Sequence, residues 1–200
     1  SSLSEHPGAA LALSYSDYEK NKAEKKASCF LTVEEGGILE GDINRLHTLY
    51  ENGNRLITLT WNFENCLGYP HNMSATAGSG LKPFGIEVVK EMERLGMLID
   101  VSHFSDEGFW DVAKYTSGPF IASHSCCRAL CGHSRNLTDE MLHQLGERQG
   151  LVGLNFCGGF LQENGASTVD AMVHHLRHVI DKGGLDIAAL GSDFDGISGE

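Results

Sequence analysis

Six short apolar runs, separated by stretches of helical period, constrain this chain more than any other feature of its sequence. The runs are Ser28–Val33, Leu56–Thr60, Met97–Val101, Phe120–Ser123, Leu151–Phe156 and Ile187–Gly191. They are apolar on both alternations, as a strand is when a parallel sheet buries both its faces. Amphipathic segments lie between them. Asp42–Glu51 carries Ile43, Leu46, Leu49 and Tyr50, then Gly53 as a stop. Gly85–Leu95 repeats the scheme with Ile86, Val89, Met92 and Leu95 before Gly96. Ser105–Tyr115 and Thr138–Glu147 open on residues suited to an N-cap, and Thr168–Lys182 runs to Gly183-Gly184. Such alternation predicts parallel βα units. A doubly wound sheet and a (β/α)8 barrel both satisfy it. No G-x-G-x-x-G follows a strand, which removes the mark of a dinucleotide-binding sheet. Polar residues at the strand C-ends favour the barrel, whose active site is built there.

Composition narrows the function classes. The net charge is −12, with only 15 Lys and Arg, scattered along the chain. That balance argues against nucleic acid and against an anionic membrane surface as partners. No apolar run approaches the ~20 residues that span a bilayer, and Ser1–Leu13 lacks the charged and apolar regions of a signal peptide. Cys29, Cys66, Cys126, Cys127, Cys131 and Cys157 show no paired C-x2-C spacing, so free thiols in a reducing, cytoplasmic setting are expected.

The chemistry gathers where the strands end. Run one ends in Val33-Glu34-Glu35-Gly36-Gly37 and run two in Thr60-Trp61-Asn62. Run three ends in Asp100-Val101-Ser102-His103 and run four in Ser123-His124-Ser125. Run six ends in Gly191-Ser192-Asp193-Phe194-Asp195-Gly196. Imidazole and carboxylate are the ligands of zinc and related catalytic metals. One histidine after a strand is an ordinary structural residue; two at equivalent ends, with acids beside them, point to a metal site. The other histidines lie in loops or on helices, and His174, His175 and His178 are expected on a solvent-exposed helix face.

These motifs, together with Leu59-Thr60-Trp61-Asn62 and Ser134-Arg135-Asn136 and in this order, resemble the membrane (renal) dipeptidase family, peptidase family M19, in its soluble bacterial branch. The resemblance runs from about Ala27 to the C-terminus. It implies a (β/α)8 TIM-barrel metallohydrolase, present as a fragment that lacks the first two strands and the C-terminal region. Residues 1–26 would be a helical or linker lead-in, and 27–200 strands three to eight of a single partial domain. The implied activity is zinc-dependent hydrolysis of dipeptides by a hydroxide held between two Zn2+ ions. The resemblance gives the bridging carboxylate to Glu34, with Glu35 as the rival one residue on. It gives one zinc to His103 and His124, the substrate carboxylate to Arg135 and proton transfer to Asp193. Asp195 is left to orient a neighbour or cap a turn. A homodimer stays open.

Two departures from the family pattern stand out. The family uses a His-x-Asp pair after its first strand, and no His-x-Asp occurs in these 200 residues. Animal members also place a substrate-contacting histidine where this chain has Trp61. Trp61 then serves with its single N–H or shapes the pocket, and His71 is the candidate to compensate. A hydrolase of cyclic amides or lactones, and a non-catalytic peptide-binding barrel, are the alternative readings.

Overall fold

The computed structural model describes residues 6–73 and 79–197. Its frame is a six-stranded, wholly parallel sheet whose spatial order follows chain order: β3 (Leu31–Glu34), β4 (Asn54–Thr58), β5 (Leu98–Asp100), β6 (Ile121–Ser125), β7 (Leu151–Leu154) and β8 (Ala188–Leu190). Helices cross between successive strands: α2 (Ile43–Glu51), α3 (Pro83–Leu95), α4 (Asp106–Tyr115) and α5 (Asp139–Glu147). A short α6 (Gly158–Leu161) and the longer α7 (Val169–Gly183) join β7 to β8. Unbroken sequential order is the arc of a (β/α) barrel; a doubly wound sheet reverses direction at a switch point.

Local chemistry sets the helix ends. The side chains of Asp42, Ser105, Thr138 and Thr168 accept from the backbone N–H of Asn44, Gly108, Met141 and Ala171, so α2, α4, α5 and α7 begin at side-chain caps. Pro83 opens α3, and Gly96, at φ 71°, closes it. The helices turn Leu46, Val88, Val89, Met92, Phe109, Val112, Met141, Leu142, Leu145 and Val179 inward. These pack with Ile57, Ile99, Ala122 and Val152 of the strands in one continuous core.

The first apolar run divides. Ala27–Cys29 forms β2, which pairs in parallel with β1 (Ala9–Leu11) in a separate two-stranded sheet, with α1 (Tyr15–Ala23) between them. After Phe30, which is 49% exposed, the chain enters the main sheet as β3. The stretch read as a helical or linker lead-in therefore holds a strand as well as a helix; residues 1–5, and 198–200 at the other end, lie outside the described residues. Three residues of Ala-Ala-Leu give no alternation to read, so β1 left no signal in the sequence.

Candidate metal centre

Three of the strand-end residues converge. Glu34 closes β3, His103 follows β5, and His124 lies in β6. The Nε2 atoms of His103 and His124 each stand 3.3 Å from Glu34 Oε1 and 2.9 Å from one another. Both imidazoles are buried, at 8% and 9% exposure, on the rim where the strands end.

The proton positions make this grouping informative. Asn62 Oδ1 lies 2.8 Å from His103 Nδ1 and, as an acceptor, requires the proton there. Ser123 Oγ gives its one proton to Asp100 Oδ2 at 2.5 Å and therefore accepts from His124 Nδ1 at 2.7 Å. Both Nε2 atoms are then bare lone pairs, facing each other and an anionic oxygen. Three acceptors aimed at one point repel unless a cation lies between them. Ligands held ~2.05 Å from a tetrahedral zinc are about 3.3 Å apart, the spacing found from Glu34 to each histidine. The residues fit a metal ion, and two nitrogens with one oxygen leave a coordination position open, as catalytic sites do.

Without a cation, the two histidines could meet Glu34 only by donating protons from Nε2, and such bonds would hold its carboxyl well below the usual carboxylate range. Burial lowers His103 below the ordinary histidine value, against the pull of Glu34. An ionised carboxylate and a neutral imidazole are the states that bind metal.

Glu35 turns elsewhere. Its φ of 118° swings the backbone out of the strand, and its carboxylate accepts from Gly37 N at 2.7 Å, Trp61 N at 2.9 Å and Asn65 Nδ2 at 2.5 Å. A carboxylate so engaged ties the loop after β3 to the loop after β4.

The other expected residues, Trp61, His71, Arg135 and Asp193, line a cleft of about 550 Å3 beside Glu34 and His103, together with His133 and Phe160. Arg135 is 4% exposed. Its Nη2 donates to His124 O at 3.1 Å, while its buried Nε has no hydrogen-bond partner among the described residues. Burial lowers its pKa to about 10, still charged at neutral pH. A buried cation with an unmet donor beside a cleft suits an anionic ligand. Asp193 sits at φ 59°, and its Oδ2 accepts from Asn155 Nδ2 at 3.1 Å. Trp61 is 43% exposed, with its ring 6.2 Å from that of His103 and 5.5 Å from that of Phe63.

His71 reaches the cleft from the loop between β4 and α3. Its Nδ1 meets Ser134 Oγ at 2.7 Å, and its ring stands 6.3 Å from that of His103. Burial, then the charge of Arg135, lowers it to about 4, so it is neutral at pH 7. His133, whose ring lies 5.9 Å from that of His71, went unread in the sequence as part of this rim, as did Phe160. No period or spacing marks them, because His133 arrives from a loop and Phe160 from the single turn of α6.

One histidine expectation is corrected. His175 is not solvent-exposed: it is 1% exposed in α7, with Nδ1 accepting from Cys127 N at 3.0 Å and Nε2 donating to Leu161 O at 2.9 Å. Ala171 and Val179, four residues either side, are buried with it and were the available signal. The six cysteines are free; Cys126, Cys127 and Cys131 direct their thiols at the carbonyls of Asn155, His175 and Gly159. No helix of the described residues is long and apolar enough to cross a membrane.

Comparison with known proteins agrees with this architecture. The profile of the family described as membrane dipeptidase (peptidase family M19) matches residues 3–200. The likeness therefore begins well before Ala27 and takes in the β1–α1–β2 unit. An uncharacterized protein in the pqqA 5' region of Klebsiella pneumoniae is 37% identical over 196 residues, 94% of this chain and 72% of that protein. Dipeptidase 3 of Macaca fascicularis is 34% identical over 86% of this chain and 36% of its own length. A metallo peptidase from Rhodobacter sphaeroides, liganded with a phosphinate mimic of the dipeptide L-Ala-D-Ala, superposes with a TM-score of 0.90 at 30% identity. That match covers 97% of this chain and 57% of the Rhodobacter chain, so the present chain spans little more than half of that structure. With the profile extending over nearly all of a chain whose barrel arc and rim residues are already in place, the chain belongs to the membrane dipeptidase family, peptidase family M19.

Proposed function

We propose that the protein containing this chain is a zinc-dependent dipeptidase, in which Glu34, His103 and His124 hold one ion. The convergence of those three side chains on one point carries the reading. Two ions are proposed for the complete site, with Glu34 shared between them and the second ion's remaining ligands supplied by residues outside this chain. When bound, zinc supplies Lewis acidity that polarises the peptide carbonyl and brings the pKa of water down to ~7.

The chain's own residues supply the rest. Arg135 holds the substrate's free carboxylate with a charge-assisted contact, which selects very short peptides. Asp193, steadied by Asn155, takes the proton of the attacking water and delivers it to the leaving amine. Trp61 forms a wall of the cleft, and the neutral His71 offers an N–H toward the developing negative oxygen. The compound bound by the Rhodobacter relative supports including L,D-dipeptides among the substrates.

The test is a zinc-loaded assay of the whole protein on L,L- and L,D-dipeptides, beside Glu34→Gln and His103→Ala. Dipeptide turnover that both variants abolish is expected. Absence of turnover, or turnover indifferent to both substitutions, rejects the reading. Turnover of cyclic amides or lactones in place of dipeptides reassigns the substrate class.

A further inference from the structure

Asp100 is the least explained group near the cluster. It ends β5, is fully buried, and among the described residues makes its hydrogen bonds to groups other than Glu34, His103 and His124. Yet its carboxylate accepts four hydrogen bonds. Oδ2 takes Thr58 Oγ1 at 2.6 Å and Ser123 Oγ at 2.5 Å; Oδ1 takes the backbone N–H of Ser102 and of Ser123, each at 2.9 Å. A buried carboxylate is costly unless its lone pairs are met, and here β4, β5 and β6 all contribute donors.

One of those donors passes the arrangement on. A serine hydroxyl has a single proton, and the carboxylate takes it. Ser123 Oγ therefore meets His124 Nδ1 only as an acceptor, which fixes the proton on Nδ1 and leaves Nε2 bare. The backbone holds the same histidine, since His124 N donates to Ser102 Oγ at 3.0 Å. His103 has a simpler support in Asn62 Oδ1.

We infer that Asp100 and Ser123 are positioning residues for the metal centre: the carboxylate orients the Ser123 hydroxyl, and the hydroxyl locks His124 in the ligating tautomer. Asn62 does the same for His103. Outer partners of this kind raise metal affinity by keeping the ligand nitrogen bare and aimed, and their loss costs roughly 10- to 100-fold in binding. The inference rests on the metal-binding reading of Glu34, His103 and His124.

Zinc alone is the probe, with affinity measured by competition against a chromophoric chelator on the whole protein. Ser123→Ala should weaken zinc binding roughly 10- to 100-fold, and Ser123→Thr, which keeps the hydroxyl, should restore it. Asn62→Ala, at a half-buried loop position, should weaken it through the other histidine. Thr58→Val removes a bond to Asp100 without touching a histidine and should leave the affinity near the native value. The thermal midpoint of the metal-free proteins is the structural control. Native zinc affinity in Ser123→Ala, whatever its metal-free midpoint, overturns the inference while leaving the metal site standing. Failure of the native protein to bind zinc overturns both.

Discussion

The pair Glu34-Glu35 shows how much one backbone angle decides. The two carboxylates are adjacent and chemically alike, and a strand sends successive side chains to opposite faces. Glu34 keeps the strand geometry and meets both histidines, whereas Glu35, at φ 118°, leaves it and is taken up by three N–H donors. The family resemblance favours Glu34 without excluding Glu35; the turn takes the Glu35 carboxylate away from the histidines. Arg135 gives the sharpest prediction at this scale. Arg135→Met should lower kcat/KM on dipeptides by about 100-fold, the order of 3 kcal/mol expected when a charged hydrogen-bond partner is lost. On a C-terminally amidated dipeptide the same change should do little. Equal losses on both substrates would argue that Arg135 serves only the backbone of His124, to which its Nη2 donates.

Two elements hold the rim in shape. In β7, Gly153 lies against the carbonyl of Ser123 so closely that a Cβ there would overlap it, and Gly191 abuts the same oxygen. The β6–β7 register shifts between Ala122 and Ser125, where Ser123 and His124 sit. Gly153→Ala should therefore destabilise the fold by about 2 kcal/mol or more, as overpacking against backbone does, and loosen zinc binding as Ser123 moves. Gly159→Ala, where a Cβ meets nothing within 4 Å, is the matched control, with both read by urea denaturation. In α7, buried His175 accepts the Cys127 N–H and so must be neutral at Nδ1. Burial lowers its pKa below the ordinary ~6.5. The unfolded chain thus binds its proton first, and the stability His175 contributes is complete above ~6.5 and lost as pH falls below it. Urea midpoints of the metal-free protein should drop from pH 7.5 to 5.5, with a shallower slope in His175→Gln. An unchanged slope in that variant would remove His175 from the account.

For the molecule as a whole, the candidate ligands come from β3, from the turn after β5 and from β6, so one ion ties three parts of the sheet together. A ligand that binds only the folded state stabilises it by RT ln(1 + [L]/Kd), about 4 kcal/mol at a thousandfold excess over Kd. Chelation should lower the thermal midpoint and added zinc should restore it, with the difference shrinking in Glu34→Gln. A midpoint indifferent to chelator in the native protein would count against the site.

The local period of the chain was enough for the main sheet and its helices. Six apolar runs correspond to the region of the six parallel strands, and the caps at Asp42, Ser105, Thr138 and Thr168 stand where the helices begin. Both signals are short-range, because burial of both strand faces and the unmet N–H groups of a helix end act within a few residues. That His103 and His124 end neighbouring strands was legible for the same reason. The rest depended on contacts far apart in sequence. Asn62 meets His103 across 41 positions, Thr58 meets Asp100 across 42, and Cys127 meets His175 across 48. Nothing local distinguishes a serine that orients a ligand from one that caps a turn, and the helical period that puts His175 on the buried face of α7 does not say what its nitrogens meet. Those assignments follow from which lone pairs and protons face each other once the chain has closed on itself, and no periodicity encodes that.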